Sequence, residues 1–93
     1  MLLSKLLENV EIEQMKNYYD CEINEVVTNS LNAKDNTMFC CIVGEKVDAH
    51  NYTKDAIENG CKVFLVERVL QISDNSVIQI KVASVRNINN FYT

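Results

Sequence analysis

The chain has 93 residues, 47% of them hydrophobic and 24% charged, which predicts one small globular domain and leaves no room for a second core. Its longest apolar run, Met38 to Val43, is far shorter than the about 20 residues that a membrane span requires. The net charge of −4 and the scattered basic residues exclude the clustered basic face that nucleic-acid phosphates require, so we expect neither a membrane nor a nucleic acid as partner.

Residues 1–20 predict one short helix and no strand. Apolar residues recur at helical spacing, with polar residues opposite, at Leu3, Leu6, Leu7 and Val10. We expect this helix to end near Val10, and the pattern from Glu11 to Asp20 is too weak to predict an element. Because Lys5 interrupts the apolar start and no small-residue cleavage site follows, we expect mature sequence here rather than a signal peptide, and a cytoplasmic protein.

The middle of the chain predicts a parallel unit of strand, helix and strand. A partial alternation near residues 22–28 first indicates a strand that ends in a polar loop. The apolar runs Met38–Val43 and Val63–Val66 then predict strands buried on both faces. Between them, residues 52–59 predict a short helix that ends at Gly60, a residue suited to the left-handed position after a helix. We expect the connection to be right-handed.

The last part of the chain completes an α/β pattern. Val77 to Val82 alternates and predicts a further strand, and Ser84 to Tyr92 predicts a closing helix with Ser84 as its N-cap. The elements together predict an α/β fold, a single small domain with a mixed or parallel sheet of about four to five strands flanked by helices.

Ligands of such sheets bind beyond the carboxyl ends of the strands, which directs attention to two loops. One is Thr28–Ser30, after the first predicted strand, and the other is Gly44–Asp48, after the central one. In the second loop, Lys46 and the backbone N–H groups after Gly44 are suited to an anionic or sugar ligand.

Several kinds of chemistry find no support in the residues. The two glycines, Gly44 and Gly60, are too few for a dinucleotide fingerprint and too far apart for a phosphate-binding P-loop. Ser30, Asp48 and His50 include the residue types of a nucleophilic relay, but no glycine flanks Ser30 to form a nucleophile elbow. We expect His50 to serve the structure of its loop.

The four cysteines match no metal-ligand spacing, so we expect no metal site. Cys40 and Cys41 are adjacent on a predicted strand, so their side chains point to opposite faces, and we expect buried structural thiols. The alternative, a thiol-based sensor, requires thiols that react in the folded protein.

Taken in chain order, the loops and strands resemble the N-terminal domain of the Mur ligases, closest to the MurE type, the UDP-N-acetylmuramoyl-tripeptide synthetases of peptidoglycan synthesis. That family carries a D-S-R motif, a P-G-D-L-F turn and strand, a glycine, D-G-H-x-F, and A-I-x-x-G-A before a buried strand that ends in Glu. The corresponding segments here follow in the same order and at similar spacing: Val27–Ser30, Met38–Phe39, Gly44, Asp48–Tyr52, Ala56–Cys61 and Val66–Glu67. The resemblance extends over residues 1–93.

Some positions differ from the family motifs. Asn29 stands where D-S-R has Asp, Leu31 where it has Arg, and Ala49 where D-G-H has Gly, while the P-G-D turn is Asp35–Thr37. The missing Arg removes any anchoring of the loop or ligand by that side chain. The related MurF type is the alternative to the MurE type.

The resemblance implies that the chain binds the UDP-MurNAc end of UDP-N-acetylmuramoyl-L-Ala-D-Glu. The substrate contacts it implies fall on Thr28, Ser30, Glu45, Lys46 and Val47, with no catalytic residue and no metal ligand in this chain. In the family, a central domain binds ATP and magnesium, and a C-terminal domain recognises the diaminopimelate or lysine that is joined to the D-Glu carboxylate.

Because no phosphate loop is present, we expect those two partner domains to be absent from residues 1–93 and the chain to be inactive alone, with no cofactor of its own. A full-length parent would be an ATP-dependent ligase. The alternative is a free-standing, degenerate α/β interaction or regulatory module that no longer binds the ligand.

Overall fold

A mixed sheet forms the centre of the molecule in residues 1–86, the part of the chain that the computed structural model describes. Its strands are β1 (Gln14–Lys16), β2 (Glu25–Val27), β3 (Thr37–Cys40), β4 (Val63–Val66) and β5 (Ile78–Lys81). They lie in the order β1-β5-β4-β3-β2; β2 to β5 are parallel, and β1 is antiparallel to β5. The predicted α/β fold with a mixed sheet of about four to five strands is confirmed.

Short helical segments connect the strands of this part of the chain. The α-helices are α1 (Leu3–Leu6) and α2 (Thr53–Glu58), and 3₁₀ turns occupy Ser30–Asn32 and Ala49–Tyr52. Among the described residues, no helix has the length and hydrophobicity to span a bilayer. The predicted closing helix, Ser84 to Tyr92, lies mostly outside the described residues, and residues 84–86 are not helical.

At the N-terminus, one predicted boundary was wrong and one strand was missed. Helix α1 ends at Leu6 rather than near Val10, because Leu7 already leaves helical geometry as the C-cap. Strand β1 was not predicted at all. Its residues are all exposed and its register places Met15 opposite Ile80, so backbone pairing at a sheet edge holds it without any alternation of buried and exposed side chains.

The sheet separates two hydrophobic clusters. Successive residues of β3 and β4 alternate between them, as the geometry of a strand requires. On the α1 side lie Met38, Cys40, Val63 and Leu65, and on the α2 side lie Phe39, Cys41, Phe64 and Val66. Both strands are therefore buried on both faces, as predicted, and Cys40 and Cys41 do occupy opposite faces.

Gly60 makes the turn from α2 into β4 at the amino edge of the sheet. Its N–H donates to the Ile57 carbonyl at 2.9 Å, and the Cys61 N–H donates to the Ala56 carbonyl at 3.0 Å. This pair of bonds closes a helix when the residue after the cap is left-handed, and the φ of Gly60 is +100°. The predicted helix end at Gly60 is confirmed. A Cβ at this position would also overlap the Asp35 carboxylate, which adds a steric reason for glycine.

A buried glutamine holds the connection between β4 and β5. Gln79 is 1% exposed, and its Oε1 accepts from the Leu70 N–H at 2.7 Å while its Nε2 donates to the Leu70 carbonyl at 3.0 Å. Both polar ends of the side chain are therefore satisfied inside the core. The bonds fix the segment that begins with Glu67 and Arg68, beyond the carboxyl end of β4.

Candidate functional site

A cavity of about 550 Å³ opens at the carboxyl edge of the sheet, between the connections that follow β2 and β3. It is lined by Thr28, Asn29, Ser30, Leu31, Phe39, Val47, Ala49 and Tyr52. Three of the predicted site residues, Thr28, Ser30 and Val47, are brought together here. The other two, Glu45 and Lys46, do not line the cavity.

The connection after β2 is shaped by Asn29. Its Oδ1 accepts a hydrogen bond from the Leu31 N–H at 2.9 Å and so caps the 3₁₀ turn. An Asp side chain could accept the same bond, so Asn at this position preserves the loop and removes one negative charge. Leu31, in the place of the family's Arg, is 85% exposed at the rim of the cavity.

The connection after β3 begins with a tight turn that has Glu45 and Lys46 at its tip. The Gly44 N–H closes the turn by donating to the Val47 carbonyl at 2.8 Å, and Val43 bridges to Asp48 below it. Both side chains at the tip are exposed. This geometry places Glu45 and Lys46 beside the cavity, while Val47 reaches its wall.

Asp48 and His50 connect this turn to the end of β4. The His50 side chain is fully buried, with Nδ1 2.6 Å from Oδ1 of Asp48 and with Nε2 accepting from the Glu67 N–H at 3.0 Å. Oδ2 of Asp48 accepts from Nη1 of Arg68 at 2.9 Å. Because both ring nitrogens are engaged, none is left to accept a proton from Ser30. The prediction that His50 serves the structure of its loop is confirmed.

The carboxyl of Asp48 is held in its charged form. Partial burial acts to raise the pKa of Asp48, but hydrogen bonds from the His50 N–H, the His50 ring and Arg68 outweigh it and lower that pKa to about 2. The Arg68 guanidinium thus faces a carboxylate that stays ionised throughout the neutral range.

The cavity itself is lined by uncharged groups from the described residues. Thr28, Ser30 and Tyr52 contribute hydroxyls that make no hydrogen bond within residues 1–86. Phe39, which is 1% exposed, lies at the floor of the cavity and packs edge to face on Phe64, with ring centroids 6.0 Å apart. Free hydroxyls beside apolar surface suit a neutral, hydrogen-bonding heterocycle or sugar better than a bare phosphate.

The four cysteines, all in the described part of the chain, are free thiols. Burial raises the pKa of Cys40 to about 12 and raises that of Cys41 well above its ordinary value. Buried, protonated thiols are slow to react, so the prediction of structural thiols is confirmed and the sensor alternative has no support. Residues 1–86 contain no cluster of His, Cys, Asp or Glu that could hold a metal ion.

Sequence reasoning missed several residues that line the cavity: Asn29, Leu31, Phe39, Ala49 and Tyr52. Asn29 lies within one of the two selected loops, and Leu31 and Ala49 directly follow them, so proximity in sequence could have found these three. Phe39 on β3 and Tyr52 before α2 reach the cavity through the fold. Tyr52 was predicted to begin the helix of residues 52–59, but it precedes α2 as its N-cap and is 42% exposed.

The chain was compared with known proteins. No family model matches it. The UDP-N-acetylmuramoyl-L-alanyl-D-glutamate–2,6-diaminopimelate ligase of Clostridioides difficile is 35% identical over 81 residues, which are 87% of this chain and 17% of the ligase. UDP-N-acetylmuramyl-tripeptide synthetase 2 of Oceanobacillus iheyensis is 32% identical over 71 residues, which are 76% of this chain and 14% of the synthetase. The crystal structure of MurF from Acinetobacter baumannii superposes with a TM-score of 0.66 at 28% identity, covering 90% of this chain and 17% of MurF.

The fold and these relatives show that the chain belongs to the Mur ligase family. The chain is a homologue of the Mur ligases, and it matches their N-terminal region. Its curated relatives carry the names of the MurE type, and the solved structure is a MurF. The chain spans 17% and 14% of the length of the two curated relatives described above.

Proposed function

We propose that the chain is the N-terminal domain of a cytoplasmic Mur ligase and binds the uridine nucleotide end of UDP-N-acetylmuramoyl-L-alanyl-D-glutamate. The observation that carries the proposal is the cavity at the carboxyl edge of the sheet. Thr28, Ser30 and Val47 line it, and these are residues that the family motifs, independently of the cavity, align with nucleotide contacts. The substrate named by the curated relatives supplies the chemistry of the ligand.

The uncharged lining favours the base and ribose as the part of the nucleotide that enters. Uracil is a planar ring with two carbonyl acceptors and one N–H donor, which complements the hydroxyl groups of Thr28, Ser30 and Tyr52. The diphosphate needs a cation, and the exposed Lys46 in the adjoining turn has no ion-pair partner among the described residues. We therefore assign the base to the cavity and the diphosphate to the turn beside it.

ATP and magnesium do not fit this chain. Its two glycines cannot form a phosphate loop, and its described residues offer no metal-binding cluster. We assign both, together with the addition of diaminopimelate or lysine, to other domains of a longer ligase. Accordingly, residues 1–93 alone are expected to release no phosphate from ATP in the presence of substrate and magnesium.

A second candidate function, an interaction or regulatory module without a ligand, is favoured by one observation. The rim of the cavity is apolar and exposed, with Leu31, Val47 and Tyr52 at 85%, 54% and 42% exposure. Leu31 stands where the family's Arg would make the rim polar. In this alternative, the rim contacts another protein and the hydroxyls below it have no partner.

Titration of the ¹⁵N-labelled chain, followed by amide shifts, distinguishes the two functions. Uridine is expected to shift Thr28, Ser30 and Val47, and UDP is expected to shift Glu45 and Lys46 in addition. The Ser30→Ala variant should bind uridine several-fold more weakly, whereas Ser73→Ala, a matched change at an exposed serine away from the cavity, should bind it normally. Shifts elsewhere, or none with UDP-N-acetylmuramoyl-L-alanyl-D-glutamate at millimolar concentration, would overturn the proposal.

The domain assignment has a separate test in the coding sequence that follows Thr93. A G-x-x-G-K-[ST] loop shortly downstream is expected for a ligase. A stop codon at that point would favour the free-standing module.

A further inference from the structure

Neighbouring residues of the connection after β3 have two different tasks. Val47, Ala49 and Tyr52 line the cavity. Asp48 and His50, which alternate with them, instead make side-chain hydrogen bonds to the segment after β4. The same stretch of backbone therefore directs one set of residues to the cavity and another set to Glu67 and Arg68, which are called the anchor below.

The bond partners of His50 determine which ring nitrogen carries the proton. Nε2 accepts from the Glu67 N–H through its lone pair, so this nitrogen carries no hydrogen. Nδ1 faces the Asp48 carboxylate at 2.6 Å, so it carries the proton and donates it to that oxygen. In this tautomer the ring links the cavity wall to a backbone group 17 residues further along the chain.

The anchor is itself held by other parts of the chain. Oε2 of Glu67 accepts from the Val85 N–H at 3.1 Å, and the Arg86 guanidinium donates to the Val43 carbonyl at 2.9 Å. Arg68 adds the ion pair with Asp48. The segments after β4 and β5 thus bond to the connection after β3 on the side away from the cavity. None of these anchoring residues lines the cavity.

We propose that His50 and Asp48 are positioning residues of the nucleotide site, which fix Val47, Ala49 and Tyr52 at the spacing from the opposite loop that the base requires. The inference rests on the proposed function, since it assumes that the cavity is the nucleotide site. It assigns the essential link to the bond between Nε2 and the Glu67 N–H, because that bond crosses to a different strand end, whereas the bond to Asp48 stays within the same connection.

Two isosteric variants separate these bonds. In His50→Gln, the side-chain oxygen reaches the position of Nε2 and can accept from the Glu67 N–H. In His50→Asn, the amide reaches only the position of Nδ1 and can donate to Asp48. We expect His50→Gln to bind UDP within about threefold of the unmodified chain and His50→Asn to bind about tenfold more weakly, the effect of one lost hydrogen bond. Equal affinities in the two variants would overturn the inference.

A control and a spectroscopic measurement complete the test. Gly60→Ala destabilises the fold at the opposite edge, so an unchanged affinity for UDP in its folded fraction shows that lower stability alone does not weaken binding. Independently of any variant, the ¹⁵N shifts of the His50 ring in the unmodified chain should show the proton on Nδ1; a proton on Nε2 would overturn the link to Glu67. If the unmodified chain binds no UDP, the proposed function fails, and that result is distinct from equal binding by the two variants.

Discussion

Of the two chain segments that border the cavity, the connection after β2 is shaped by a hydrogen bond within itself, and the connection after β3 by bonds to distant parts of the chain. In the first, Asn29 bonds to Leu31, only two residues away. In the second, His50 and Asp48 bond to Glu67 and Arg68. Both segments lie at the same edge of one sheet and line the same cavity.

This difference determines how far the structural effect of a substitution spreads from each segment. Substitutions in the first segment alter one turn, since no long-range side-chain bond depends on it among the described residues. Substitutions of the anchoring residues in the second segment disturb the end of β4 as well. The departures from the family motifs agree with this difference at the anchoring positions. Asn29 and Leu31 depart in the first segment, whereas in the second segment Ala49 departs but the anchoring Asp48 and His50 keep the Asp and His of D-G-H.

The largest expected effect lies away from both segments, at Gly60. Replacement by Ala forces a side chain into a φ of +100° and displaces the Asp35 carboxylate, so we expect the free energy of unfolding to fall by about 1–3 kcal/mol. Urea unfolding measures this loss. Because Gly60 lies at the amino edge, UDP affinity in the folded fraction should not change, and a parallel loss of affinity would show that the two edges are coupled.

A smaller effect is expected for Asp48→Asn, which tests the long-range anchor. Losing the charged acceptor of Arg68 and His50 should reduce the free energy of unfolding at pH 7 by about 1–2 kcal/mol. Since the folded-state pKa of Asp48 is about 2, below its usual 3.8, the carboxylate stabilises the fold above pH 3.8, and this contribution is lost as the pH falls towards 2.

Urea unfolding at pH 5 and at pH 2.5 measures the difference. The unmodified chain should lose more stability between these values than Asp48→Asn does. Asp74→Asn is the matched control, because the pKa of Asp74 is also lowered, by hydrogen bonds from Ser76, but its carboxylate is exposed and lies away from the cavity. An identical acid response of the unmodified chain and Asp48→Asn would contradict the role given to this carboxylate.

The smallest effect is expected at the local cap. Asn29→Ala removes the acceptor for the Leu31 N–H and should reduce the free energy of unfolding by about 0.5–1 kcal/mol, whereas Asn29→Asp keeps the acceptor and should leave it unchanged. Amide shifts of Asn29→Ala should change within residues 28–33 and stay unchanged at Glu67 and Arg68. Shifts spreading to those two residues would contradict the local nature of this segment.

The sequence predicted the elements whose burial pattern is strong. Strands β3 and β4 are buried on both faces, so their apolar runs could be identified without a partner, although β3 ends at Cys40 rather than at Val43, which is 40% exposed. Gly60 marked the end of α2 by its conformational freedom. Strand β1 could not be found, because an exposed edge strand is fixed by the backbone of β5 and leaves no hydrophobic pattern. The parallel strands alone directed attention to the edge where the cavity opens, since their carboxyl ends share that edge.

The positions of individual side chains around the cavity could not be predicted from the sequence. The family resemblance assigned Glu45, Lys46 and Val47 together to the substrate, but only Val47 lines the cavity, and Glu45 and Lys46 lie beside it at the tip of the turn. The bonds of His50 and Asp48 involve residues 17 and 20 positions away, and no local pattern encodes such distances. Residues that are adjacent in a loop therefore lie in the same region of the molecule but make different contacts.

The most direct test of the account is a crystal structure of the chain with UDP-N-acetylmuramoyl-L-alanyl-D-glutamate. The account predicts the uracil ring in the cavity, between Thr28–Leu31 and Val47–Tyr52, with hydroxyl contacts from Thr28 or Ser30 and the diphosphate beside Lys46. His50 should keep its bonds to Asp48 and Glu67 in the complex. A nucleotide bound at any other surface, or a cavity that stays empty at saturating ligand, would contradict it.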